Sequence, residues 1–174
     1  MAPISIEKDG IQIKIQSVKK NKVFSCENCM LYDAERCSIK KRLSLTPNTK
    51  KLVATEIIVI VANVSDKTFS INSKNWETVD TEGFSYGCFA PCDSHIEARM
   101  VNPDSWEVTP GTQVKFALLF PELEEKINIV SLLYSGRLVN MRLDVRKPTK
   151  KVEALLLAKE NYEKSHHRIQ LNNK

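Results

Sequence analysis

Ile11-Gln12-Ile13-Lys14-Ile15-Gln16-Ser17-Val18 alternates apolar with polar side chains, and a period of two is the spacing at which a β-strand turns one face inward. Ile4-Ser5-Ile6 shows the same alternation just upstream, and Asp9-Gly10 between the two runs is a hairpin turn signal. The chain therefore opens as an all-β domain. Residues 52–71 resume the pattern, with Ala54, Glu56 and Ile58 alternating against Thr55, Ile57 and Val59 among many β-branched residues. Asn63-Val64-Ser65-Asp66-Lys67 reads as a turn. Trp76-Glu77-Thr78-Val79 and Phe84-Ser85-Tyr86 flank a second one, Asp80-Thr81-Glu82-Gly83. Thr109-Pro110-Gly111-Thr112 fits a type II turn, because Gly tolerates positive φ at the third position. Residues 113–120, 127–134 and 138–145 supply further strands, and 96–101 a short one. Seven or eight short strands at this spacing predict a β-sandwich or barrel.

Two segments depart from that pattern. Residues 19–51 interrupt the alternation with three cysteines and the basic run Lys40-Lys41-Arg42. Such a stretch far exceeds an ordinary loop, so it reads as an insert with a role of its own. Residues 150–165 hold good helix formers, with Val152, Leu155, Leu156 and Tyr162 at helical spacing and Thr149 placed as N-cap. That stripe is expected to pack on the sandwich, or else to offer a partner surface. The domain reading is thus a sandwich over 1–148 carrying the insert at 19–51, then a helix and tail over 149–174.

Composition agrees with this reading. The 174 residues are 42% hydrophobic and 27% charged, with five Gly and seven Pro, which excludes a disordered or collagenous chain. The longest apolar run, 57–62, is a buried strand and cannot span a bilayer. The first residues show neither the basic nor the apolar region of a signal peptide, so the expected compartment is the cytoplasm, or outside the cell if a signal segment has been removed. Charge is uneven. Eleven Lys and Arg against five Asp and Glu give residues 1–52 a charge of +6, seven against thirteen give 53–145 −6, and eight against three give 146–174 +5.

The turns Val61-Ala62-Asn63-Val64-Ser65-Asp66-Lys67, Asp80-Thr81-Glu82-Gly83-Phe84-Ser85-Tyr86 and Thr109-Pro110-Gly111-Thr112-Gln113-Val114-Lys115-Phe116 together resemble a group of immunoglobulin-like bacterial domains of unknown function. The resemblance covers about residues 52–145. It implies an immunoglobulin-like β-sandwich acting as a binding or accessory module, of the kind met in secreted or lipid-anchored proteins. This chain departs from the group by its cysteine insert and by showing no signal or lipobox.

The strongest chemical signal is Cys26-Glu27-Asn28-Cys29 with Cys37, followed by Cys88 and Cys92. Two thiolates in C-x-x-C spacing converge on one ion, and further thiolates close a tetrahedral zinc site. Disulfides among the same five residues are the rival reading, and plain thiols a third. The C-x-x-C lies in no βαβ context and the spacing matches no ferredoxin run, so redox catalysis and an iron–sulfur cluster are weaker readings. No Ser-His-Asp set can be built around His95, the sole histidine before the tail, and no glycine-rich phosphate loop is present, so no catalytic residue is assigned. The expected function is a non-catalytic module with a protein partner. The alternatives are nucleic-acid binding through Lys19, Lys20, Lys22, Lys40, Lys41 and Arg42, or a metal- or redox-responsive role.

Overall fold

The computed structural model describes residues 4–25, 51–88, 90–93, 105–136 and 139–172. Alternation in the first runs forms β1 (Ile4–Lys8) and β2 (Ile11–Ser25), joined at Asp9-Gly10, where φ is +53° and +76°. Both residues sit in the left-handed region that a tight hairpin between right-twisted strands requires. Beyond them come β3 (Lys51–Asn63), β4 (Phe69–Asn72), β5 (Trp76–Asp80), β6 (Ser85–Gly87), β7 (Ala90–Asp93), β8 (Ser105–Val108), β9 (Gln113–Phe120), β10 (Ile129–Ser135) and β11 (Asn140–Asp144). The helix, here α1, spans Lys150–Asn172. All strand pairs are antiparallel, in a five-stranded sheet of order β1-β2-β3-β9-β7, a four-stranded sheet β11-β10-β5-β6, and the pair β4-β8.

The sheets enclose one apolar layer, which makes the molecule all-β and sandwich-like with a C-terminal helix. Ile13, Ile57, Val59 and Leu118 come from the five-stranded sheet, Trp76, Leu132, Tyr134 and Leu143 from the four-stranded one. Trp76 stands at the centre, its ring 4.7 Å from that of Tyr134 and 6.1 Å from that of Phe116. A second, smaller cluster lies on the other face of the four-stranded sheet, where Val79, Val130 and Leu133 meet Val152 and Leu156 of α1. Strand β10 serves both clusters by alternation, and a bulge between Ile129 and Ser131 moves its inward set from Ile129 to Leu132 and Tyr134.

Several expected boundaries move. The alternation fails at residue 19, yet β2 continues to Ser25, so residues 19–25 belong to the sheet and not to the insert. Bulges between Ile15 and Ser17 and between Lys19 and Lys22 break the period without ending the strand. The strand expected over 127–134 runs Ile129–Ser135, and that over 138–145 runs Asn140–Asp144. The strand expected over 96–101 lies outside the described residues. Thr149 does cap α1, its Oγ1 accepting from Val152 N at 3.3 Å, and the helix runs past the expected residue 165 to Asn172. The Pro110-Gly111 turn forms as read, with Gly111 at φ +74° and Thr112 N donating to Thr109 O at 3.1 Å.

Candidate functional site

The cysteine-bearing segment starts and finishes at one place. Ser25 ends β2 and Lys51 begins β3, and these two residues are register partners, so residues 26–50 leave and rejoin the sheet at a single pair. Cys26, Cys29 and Cys37 themselves lie outside the described residues, as do Lys40, Lys41, Arg42 and His95. Cys88 and Cys92 flank the crossing from the four-stranded to the five-stranded sheet. Cys88 follows β6, donates its N–H to Trp76 O at 2.9 Å and packs half-buried against the central apolar layer. Cys92 sits on β7 opposite Ala117, and β7 begins with Ala90 opposite Leu119. Strand β9 ends one residue later at Phe120, opposite Thr55. The start of β7 is therefore toward the same end of the five-stranded sheet as Ser25 and Lys51. Among the described residues no three His, Cys, Asp or Glu side chains gather as a metal site.

Of the described lysines of the basic candidate set, Lys20 and Lys22 are drawn into the fold and Lys19 stays exposed. Asn21 adopts φ +51° in the second β2 bulge, which turns it and Lys20 out of the ladder toward residues 121–128. There the Asn21 amide donates to Leu123 O at 2.6 Å and accepts from Leu123 N at 2.9 Å, while Lys20 Nζ donates to Glu125 O. Lys19 and Lys22 flank Glu56, which is buried on the face away from the central layer together with Leu52, Ala54, Ala117 and Leu119. Lys22 Nζ lies 2.8 Å from Glu56 Oε2 and 4.8 Å from the centre of the Phe24 ring. Lys19 Nζ is 4.0 Å from Oε1, too far for a hydrogen bond.

The Asp80 turn is a closed polar unit. Asp80 Oδ1 accepts from the backbone N–H groups of Glu82, Gly83 and Phe84 at 2.8, 2.8 and 2.9 Å, and Oδ2 accepts from the Tyr86 hydroxyl at 2.8 Å. Burial, the hydrogen bond to Asp80 and the nearby Glu82 and Glu124 charges push the Tyr86 hydroxyl up to about 12. Gly83 has φ +95°, and a Cβ there would lie 2.6 Å from Leu155 Cδ1, so glycine both makes the turn and admits the helix. The spacing of Asp80, Gly83 and Tyr86 thus encodes a fully satisfied carboxylate, and the motif builds structure.

Helix α1 is pinned to the four-stranded sheet by its acids. Arg142 of β11 donates to Glu153 at 3.0 and 2.5 Å and to Asp144 at two positions of 2.8 Å, with Glu160 3.6 Å away. Hydrogen bonds to Glu153 and Asp144 raise the Arg142 guanidinium above its ordinary value, and the same contact lowers Glu153. Lys159 bonds Glu77 of β5, and Glu163 accepts from Ser135 at 3.0 Å. Burial pushes the Glu77 carboxyl up, but the hydrogen bonds from Lys159 and the Ser85 hydroxyl and the Lys159 charge outweigh it and leave Glu77 below the ordinary range. Neither Arg142 nor Glu77 carries a motif; their partners on α1 lie 11 and 82 positions away in sequence, which conceals them.

Elsewhere, a cleft of about 260 Å³ opens between the β1–β2 turn and residues 65–68, floored by Ile11, Phe69 and Val139 and rimmed by Asp9, Asp66 and Lys67. No protein family and no curated protein matches the sequence. Among the solved structures to which the chain is similar are two from Bacillus subtilis, both at low identity. The yjhA protein of Bacillus subtilis is 13% identical, with 87% of each chain covered and a TM-score of 0.46. The ycdA protein of Bacillus subtilis, a candidate lipoprotein, is 12% identical over 90% of this chain with a TM-score of 0.49, and this chain spans 42% of its length.

Proposed function

We propose that the chain is a non-catalytic binding or accessory module of immunoglobulin-like architecture, its cysteine-bearing segment held by a thiolate-bound zinc or by disulfides. The observation that carries this reading is the pairing of Ser25 with Lys51. A connection of about 25 residues closed at one pair of strand ends carries three of the five cysteines, and a cross-link inside it limits its conformational freedom. Cys26 and Cys29 stand immediately beyond the fixed end, in the spacing of a zinc knuckle, and Cys37 follows. Cys88 or Cys92 completes the ligand set from the strand crossing toward the same end of the sheet. A bound zinc would supply cross-linking only.

The binding role is supported by the way polar groups are spent: Asp80, Glu77 and Arg142 serve the fold, while the flanks of α1 carry exposed apolar residues. Intact-mass spectrometry under native conditions, with and without alkylation, tests the cysteine part. Bound zinc with thiols that alkylate only after chelation, or disulfides with thiols that alkylate only after reduction, is the expected result. Alkylation of all five cysteines at once in metal-free protein would contradict it.

A further inference from the structure

The five-stranded sheet has two faces, and one of them meets the central layer. Ile57, Val59, Leu118 and Phe120 point into that layer, while Leu52, Ala54 and Glu56 of β3 and Ala117 and Leu119 of β9 alternate with them on the other face. The outer face of an antiparallel sheet is ordinarily polar and wet. Here all five residues are buried within a single chain, Ala54 and Ala117 completely. Glu56 Oε1 is enclosed with them and has no hydrogen-bond donor, Lys19 Nζ standing 4.0 Å away.

Among the described residues nothing supplies that cover. Helix α1 packs on the four-stranded sheet, β4 and β8 send Phe69, Ile71 and Val108 into the central layer, and Leu123 and Ile127 join the same layer. Lys22 and Phe24 border the patch as ladder neighbours of Ala54 and Leu52, and Leu119 stands a further strand away from them. The cover also fades along the strands. On β3 the buried run Leu52, Ala54 and Glu56 gives way to half-buried Ile58, Ile60 and Ala62; on β9 Leu119 and Ala117 are buried, Lys115 is half-buried and Gln113 exposed. The deep end is that of the Ser25–Lys51 pair, where residues 26–50 leave and rejoin the sheet. The other long connection outside the described residues, 94–104, departs after Asp93, opposite Phe116 and so toward the end where the face opens.

We infer that residues 26–50 fold back over the outer face of β3 and β9, placing apolar side chains on Leu52, Ala54, Ala117 and Leu119 and a hydrogen-bond donor on Glu56 Oε1. The reach is short, since Glu56 lies about 17 Å along β3 from Lys51 at the usual rise of a strand. Composition fits: Met30-Leu31-Tyr32 and Leu43-Ser44-Leu45 supply apolar surface, and Lys40-Lys41-Arg42 supplies cationic donors for a carboxylate. The docking needs no covalent or metal link, so it stands apart from the reading of the cysteines. It also means that this face is filled by the chain itself and is not offered to a partner.

The test is site-specific photolabelling of the full chain with benzoylphenylalanine in place of Ile58, which is half-buried on this face opposite Ala117; Ile60 is the second site should the first variant fold poorly. Peptide mapping by mass spectrometry should find the adduct within residues 26–50. The same group in place of exposed Gln113 should give at least about tenfold less of that adduct, the ratio that burial of a single leucine sets between contact and release. Adducts in 94–104, in a second copy, or in no peptide would overturn the inference. The labelling is repeated with reductant and chelator, where the cysteines hold neither disulfide nor zinc. The same adduct is expected there even if the cysteines prove to be plain thiols, and its loss would overturn the inference by showing that the face itself does not hold the segment.

Discussion

Two basic stretches of this chain look alike in sequence and end differently in the fold. Lys19, Lys20 and Lys22 lie along the bulged part of β2, where Glu56 and the Glu125 carbonyl take up their charges and Asn21 clamps residues 121–128. Lys150, Lys151 and Lys164 lie along α1, where the carboxylates of their own helix turn away toward Arg142 and Ser135. The difference comes from what each stretch packs against. A bulge rotates side chains out of the ladder and onto a neighbouring loop, which consumes cations; a helix on an Arg-bearing sheet draws its acids inward and leaves Lys150, Lys151 and Lys164 outside. Net charge therefore says how much charge a segment holds, and only packing says how much is available to a partner.

The largest expected effect concerns the inward side of α1. Leu156→Ala removes half of the aliphatic contact that the helix makes with Val79, Val130 and Leu133, and should cost about 2–5 kcal/mol in chemical denaturation. A loss below about 0.5 kcal/mol, as expected of an exposed surface position, would erase the distinction between the two sides of the helix. Glu56→Ala sharpens the other half of the comparison. It leaves Lys22 without its carboxylate next to a buried apolar face, and a loss of about 1–3 kcal/mol is expected, smaller than for a fully enclosed pair because Lys22 keeps some access to water. An unchanged stability would show that the β2 lysines are not held by the fold.

Acid should loosen the helix by the smallest margin. Glu77 and Glu153 have carboxyl values below the ordinary range in the folded chain, so their contacts stabilise it fully above about pH 4.5 and are lost as pH falls through the lowered folded values. The melting temperature of the wild type should fall more steeply below that pH than that of Glu77→Gln with Glu153→Gln. Parallel curves would mean that these acids do not pin α1.

Much of the architecture was legible because local chemistry and global fold agree. Asp9-Gly10, Pro110-Gly111 and the Asp80–Gly83 turn each need a residue that tolerates positive φ, and the sequence supplies one at the required position. Thr149 announced the start of α1 for a similar reason. The extent of β2 was hidden because its bulges interrupt the period of two at Gln16 and at Lys20-Asn21, making a continuing strand look like the beginning of a loop. Which residues of β10 face the central layer was hidden by the same kind of irregularity. The candidate site was legible only in part: the spacing of Cys26, Cys29 and Cys37 marks the segment, but the pairing of Ser25 with Lys51 that frames it depends on a strand whose last third breaks the pattern. The facing of α1 was concealed further, since which glutamates turn inward depends on Arg142 and Ser135 in other strands.

Lysine labelling with an acetylating reagent, read residue by residue by mass spectrometry on the native protein, tests the central contrast most directly. The account predicts rapid modification of Lys150, Lys151 and Lys164 and slow modification of Lys20, Lys22 and Lys159, with the difference abolished in denaturant. Equal rates at the two sets of lysines in the folded chain would contradict it.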